Sequence, residues 1–270
     1  MALVSLASLL TKKADPTQIM CYAKSTALVG GTHWNSSWAT AGNFPVGAIP
    51  GAAAIPTSAT AGSLGQLNKA GAEQRAWLRR FNVSGVVGGV AASIALVDRL
   101  AHMGGLDGTL TTAQTVSTPA LTRFTAGADM AAVEIYTTIG TTATTYTCSY
   151  TNQAGTAART SIAASIGTTS FNAARSVLPI PLASGDTMVK SVETITLAAS
   201  TGTAGNFGVT LYKILGVWPV NSTFVYPHTG APEFGYPMPA IPDNACLDLI
   251  AFGSGQSNVA VMADLVFFED

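Results

Sequence analysis

Through most of this chain apolar residues recur at every second position, the period of a β-strand that buries one face. The cleanest example is "TTYTCSYT" (residues 144–151). Tyr146, Cys148 and Tyr150 fall on one parity, and Thr145, Thr147, Ser149 and Thr151 on the other. "RAWLRRFNVS" (75–84) also reads as a strand; a helix through Leu64, Leu67 and Trp77 competes, and Gly71 weighs against it. "SIALVDRL" (93–100) predicts a strand closed by the glycine-rich loop "HMGGLDG". "AAVEIYTTI" (131–139) and "ARTSIAAS" (158–165) predict two more, with "NQAG" as the turn before the second. Between residues 185 and 215 a long hairpin is expected. Its first arm runs from Val189 to Leu197 and slips phase near Val192, as at a bulge. In its second arm Phe207, Val209 and Leu211 face one way, Thr210 and Tyr212 the other. "NACLDLIAF" and "VAVMADLVFFED" around "GSGQSN" predict a closing hairpin. Val259, Val261, Ala263, Leu265 and Phe267 share a parity, and Asp248 lies opposite in parity to Leu247 and Leu249.

Two stretches break the period. "GNFPVGAIPGAAAIPTSATAGSLG" (42–65) carries Pro45, Pro50 and Pro56 among small residues, which excludes a helix and gives no strand pattern. Residues 1–72 therefore read as an extended N-terminal arm with little regular structure. Phe44, Val46, Ile49 and Ile55 are its apolar anchors, and prolines between them reduce the entropy lost on docking. The second stretch, 218–242, mixes six prolines with Trp218, Phe224, Tyr226, Phe234 and Tyr236. It is too apolar for a solvent loop and too rich in proline for a strand, so it is expected to pack on a sheet or a partner. Roughly eight to ten strands at turn-punctuated spacing, with no βαβ alternation, predict an all-β chain. The expected architecture is an antiparallel β-sandwich, jelly-roll-like, over residues 73–270, behind the arm. Removing residues 1–60 is expected to leave that domain folded.

Charge changes the picture. Only 10% of the 270 residues are charged, against about 25% in typical domains. The formal net charge is −1, which offers no basic footprint for nucleic acid. No apolar run reaches the roughly 18 residues of a membrane span. A surface so poor in charge repels its own copies weakly, a property suited to a subunit whose neighbours cover it. "MALVSLASLLTKKADP" places Lys12 and Lys13 after its apolar run, not before it, and so reads as a docking arm or short amphipathic helix more than a secretion signal. The three cysteines, Cys21, Cys148 and Cys246, are widely spaced and read as buried thiols; a Cys148–Cys246 disulfide stays open.

Candidate chemistry is sparse. No nucleophile elbow, zinc-protease, phosphate-loop or calcium-loop motif occurs, so neither a cofactor nor a metal is expected. His33, His102 and His228 are isolated, and a pairing of Asp98 with His102 would need a helix that the pattern does not support. The acids Glu134, Asp186, Glu193, Glu233, Asp243, Asp248 and Asp264 are scattered. Asp98-Arg99 interrupts an apolar strand, and buried charges there must find partners.

"SIALVDRLAHMGGLDGTLTTAQTVSTPALTR" (93–123), followed by "TYTCSYTNQAGTAART" and "GDTMVKSVETITLAASTGTAGNFGVTLYK", resembles virion structural proteins of tailed bacteriophages. The resemblance covers residues 75 to 215. It implies a β-rich, non-enzymatic virion component, assembled in the host cytoplasm. A capsid cement or decoration protein is favoured, bound to the major capsid protein and to copies of itself, with a trimer preferred. A tail, collar or head-fibre component that binds glycan through the 218–242 loop is the alternative. A β-sandwich hydrolase ranks lower and needs two carboxylates about 5–10 Å apart.

Overall fold

The two-residue period resolves into fifteen strands and no helix among the described residues. The computed structural model describes the backbone of residues 18–26, 33–64, 73–84, 91–221, 240–253 and 259–269, and side chains within 33–64, 93–217 and 241–252. In chain order the strands are β1 (Gln18–Thr26), β2 (Trp34–Ser36), β3 (Glu73–Ser84), β4 (Ala91–Leu106), β5 (Gln114–Thr115), β6 (Met130–Thr137), β7 (Thr144–Asn152) and β8 (Arg159–Thr160). They continue with β9 (Ala164–Ile166), β10 (Ser176–Pro179), β11 (Val189–Leu197), β12 (Asn206–Asn221), β13 (Ala240–Pro242), β14 (Leu247–Gly253) and β15 (Val259–Glu269). All pairings are antiparallel.

Three sheets result. Strands β10-β2-β14-β4-β12-β6 close into a barrel; β5-β11-β7-β8, with β9 also on β7, form a five-stranded sheet; β1-β15-β3-β13 form a four-stranded one. The expected sandwich lies between the first two. One face of the five-stranded sheet supplies Tyr146, Cys148, Tyr150, Val189, Val192, Ile195 and Leu197. The barrel wall answers with Leu100, Val133, Ile135, Leu178, Phe207, Val209 and Leu211, all buried in the same apolar cluster. The threonine parity of β7 stays partly or fully exposed, as the alternation requires. The bulge in β11 is present as well. Register against β7 shifts between Val189 and Ser191 and again between Val192 and Thr194, so the buried positions fall at 189, 192, 195 and 197.

The structure corrects several expectations. Neither hairpin forms: β11 pairs with β5 and β7 while β12 pairs with β4 and β6, and β14 lies in the barrel while β15 lies between β1 and β3. Each connection crosses from one sheet to another because both long strands already have two neighbours. The loop expected at His102 is the second half of β4, which runs on to Leu106. Its glycines serve close approach: a Cβ on Gly104 would sit 2.2 Å from the carbonyl oxygen of Pro50. The 158–165 strand splits into β8 and β9. Within the span read as an arm, β2 is a barrel stave between β10 and β14. Removing residues 1–60 would therefore open the barrel. Residues 37–64 are mostly irregular and form a strap over this chain's own barrel, tied by backbone bridges Ala54–His102 and Leu64–Leu247. The β3 segment is a strand, not the competing helix.

Candidate functional site

The barrel interior holds a charged centre. Along β6, Val133 and Ile135 face the sandwich while Glu134 faces the lumen; along β12, Val209 and Leu211 do the first and Thr210 and Tyr212 the second. Arg99 of β4, fully buried, lies between two carboxylates, pairing with Glu134 and with Asp248 of β14 through Nε at 3.2 Å. Arg99 also donates to the Tyr212 hydroxyl at 3.1 Å and the Ser36 hydroxyl at 3.4 Å. Glu134 Oε2 accepts from Thr210 Oγ1 at 2.6 Å, Tyr212 at 3.1 Å and Tyr136 at 3.3 Å. Asp248 accepts from Ser37 at 2.7 Å and Ser36 at 3.3 Å. Burial alone would raise the Glu134 carboxyl; the guanidinium and the hydroxyl donors outweigh it and hold it below its ordinary range. Burial, reinforced by the Glu134 charge, pushes the Tyr136 phenol up, and burial pushes Tyr212 up as well.

The strap seals this centre. Trp38 stacks its ring 4.4 Å from the guanidinium carbon of Arg99 and donates through Nε1 to the Ala48 carbonyl at 2.9 Å. Gly47 leaves the ring its slot: a Cβ there would lie 2.3 Å from Trp38 Cε2. His102 packs edge-on against Trp38, and its Nδ1 lies 3.3 Å from Arg99 Nη1. A guanidinium only donates, so Nδ1 carries the lone pair and the proton sits on Nε2. Burial and the adjacent Arg99 charge lower the His102 pKa to about 3.

A second buried pair braces the outside of the same strand. Arg123 grips both oxygens of Asp98, at 2.8 and 2.9 Å, and also donates to the carbonyls of Pro56 and Arg99. The Cys246 amide donates to Asp98 as well, at 2.8 Å. Burial pushes the Asp98 carboxyl up, and the Arg123 fork offsets part of that. A third cluster sits at the end of the five-stranded sheet, where Asp186 accepts from Tyr150, Asn152 and Arg159. The Tyr150 and Arg159 donors bring its carboxyl down to about 2.

Chemically, the centre is a set of groups spent on one another. Ser36 and Ser37 donate to Asp248, and the nearest imidazole is turned to Arg99, so no hydroxyl–imidazole–acid relay is formed here. Among the described residues no three His, Cys, Asp or Glu side chains gather to hold a metal. Cys148 and Cys246 are buried free thiols, so the pairing left open between them is not made; burial pushes each up to about 12.

The residues proposed for partner contact divide by location. Val46 and Ile49 stand on the outer side of the strap, 50% and 43% exposed, and Phe44 and Ile55 are half-buried. Trp218 continues β12 opposite Ile94, its side chain outside the described residues. Phe224, Tyr226, Phe234 and Tyr236 also lie outside them. The sequence signalled that Asp98 and Arg99 need partners but did not identify Arg123, Glu134 and Asp248. The sign was there: Glu134 and Asp248 are each the lone charge of an otherwise uncharged strand. The sequence matches no family model, no curated protein and no solved structure.

Proposed function

We propose that this protein is a non-enzymatic structural subunit of a tailed-phage virion, a cement or decoration protein that binds the major capsid protein and neighbouring copies of itself. The observation that carries this reading is the location of the charges. The chain has 13 basic and 14 acidic side chains, and Asp98, Arg99, Arg123, Glu134 and Asp248 are buried against each other. The exterior is poorer in charge than the composition suggests. No Lys, Arg, Asp or Glu occurs from residue 25 to 68, so the strap presents no charged side chain outward, and Val46 and Ile49 are its largest exposed apolar ones. A subunit in a lattice gains from such a surface, because burying it needs no desolvation of ions. The phrase-level resemblance to virion proteins supports the same reading.

The test is the copy number of this protein in purified particles, measured by quantitative mass spectrometry against the major capsid protein. A comparable copy number is expected. A handful of copies per particle overturns the cement reading in favour of a tail or vertex position. Saturable glycan binding lost on substitution of Trp218 or Tyr226 would move it to host recognition.

A further inference from the structure

We propose that the outer edge of β1 is a self-association site, where β1 pairs antiparallel with β1 of a second copy about a two-fold axis. The argument starts from an inventory of sheet edges. An unpaired strand edge presents a row of backbone donors and acceptors that another chain can complete, and proteins shorten, bulge or charge such edges to prevent it. The barrel is closed and has no edge. The five-stranded sheet ends in β5 on one side and β8 with β9 on the other, strands of two, two and three residues. On one edge of the four-stranded sheet β13 covers only Glu73–Arg75 of β3 and finishes in Pro242, and the rest of β3 carries the charges of Arg79 and Arg80, which discourage edge pairing. The opposite edge is different. β1 is nine residues long, contains no proline, and holds unbroken register with β15 from Gln18–Phe267 to Thr26–Val259. Among the described residues nothing pairs with its other side.

The sequence of β1 accommodates a second copy without opposing like charges. Two copies centred on Tyr22 use all nine residues, pairing Gln18 with Thr26, Ile19 with Ser25, Met20 with Lys24 and Cys21 with Ala23. Lys24 is the one charge in the strand, and this register sets it opposite Met20, away from its symmetry mate. The formal net charge of −1 adds little repulsion between copies. Such a contact is isologous and closes on itself. It yields a pair of subunits, distinct from any three-fold association, and it does not depend on the virion reading.

A charge-reversal pair of variants tests it by sedimentation equilibrium of the full chain at low salt. Met20→Lys sets like charges opposite each other twice per pair, and should weaken dimerisation about tenfold or more. Met20→Glu sets a carboxylate opposite Lys24 at the same two places, and should hold dimer affinity at or above that of the parent. Position 20 stands opposite Leu265 in the β15 register, and both variants replace the same methionine by a charged residue, so loss of that methionine within one subunit is common to the two. A parent protein that stays monomeric at high concentration, or two variants with equal affinities, overturns the proposal. Amide exchange of residues 18–26 in the parent gives a second readout that needs no variant. Protection should rise with protein concentration, and concentration-independent exchange overturns the assignment.

Discussion

Strands β6 and β12 have two insides. On one face Val133, Ile135, Phe207, Val209 and Leu211 meet the five-stranded sheet in an apolar layer. On the other, a residue away, Glu134, Thr210 and Tyr212 join Arg99 and Asp248 in the sealed barrel. Both faces are equally dry, yet they depend on different physics. The apolar face rests on area and fit, which degrade gradually. The charged face rests on complete pairing, and it fails abruptly when one member is removed, because the remaining ions have no water to turn to.

Breaking the charged face should therefore have the largest effect. Arg99→Met leaves Glu134 and Asp248 buried without their cation and should cost about 3–5 kcal/mol in denaturant unfolding. Arg99→Met combined with Glu134→Leu and Asp248→Leu should recover part of that loss, since no ion is then stranded. Ser36, Ser37 and Thr210 still lose acceptors, which keeps the recovery incomplete. A triple variant no more stable than the single one would show that stranded charge is not the cause.

Breaking the apolar face should do somewhat less. Leu211→Ala removes a fully buried side chain from the sandwich layer and should cost roughly 2–5 kcal/mol, according to how far the layer collapses. The sharper expectation concerns pH. The Leu211→Ala penalty should be the same at pH 8 and pH 5, while stability set by the barrel centre should vary.

That variation comes first from His102. Its folded pKa is lowered to about 3 by burial and Arg99, against about 6.5 unfolded. The unfolded chain then binds a proton that the folded chain refuses. The stability it confers is complete above about pH 6.5 and falls by about 1.4 kcal/mol per pH unit below that. His33, buried and likewise lowered, adds to the same slope. Glu134 acts in a lower window: its depressed carboxyl confers stability above its ordinary range, lost as pH falls through the folded value. Asp98, raised by burial, opposes these trends, because protonating it relieves a buried charge. His102→Asn keeps an acceptor for Arg99 without the titration. It should flatten the slope of unfolding free energy between pH 6.5 and 5; an unchanged slope would remove His102 from this role.

The two faces also explain what could be read in advance. Strand positions were legible because alternation is local: Tyr146, Cys148 and Tyr150 declare a buried face without reference to any neighbour. Partnership was not legible. Consecutive strands pair often enough to suggest two hairpins, but β11 and β12 part because β12 is already flanked by β4 and β6. The polar parity of β12 was ambiguous for a related reason. Thr210 and Tyr212 look the same in sequence whether they meet water or a buried guanidinium, and Arg99 lies 113 residues from Tyr212 and 149 from Asp248. Asp98-Arg99 showed that partners must exist, and only the closed barrel shows which. The strap was legible as proline-broken and extended, while its seat on this chain's own barrel depends on Trp38 and Gly47 meeting Arg99 from another element.

The smallest expected effect on stability is also the most informative for function. Val46 and Ile49 point away from both interiors, so Val46→Asp with Ile49→Asp should change unfolding free energy by no more than about 0.5 kcal/mol. If the charge-free outer side of the strap meets the capsid, the same variant brings two carboxylates into a contact with no cation to receive them, and attachment to purified shells should fall by tenfold or more. Co-sedimentation of the variant with shells, alongside its denaturation curve, separates the outcomes. A folded variant that no longer attaches assigns the contact to the strap. One that attaches normally moves the contact to another surface, such as the one bearing Ile162, which is 59% exposed.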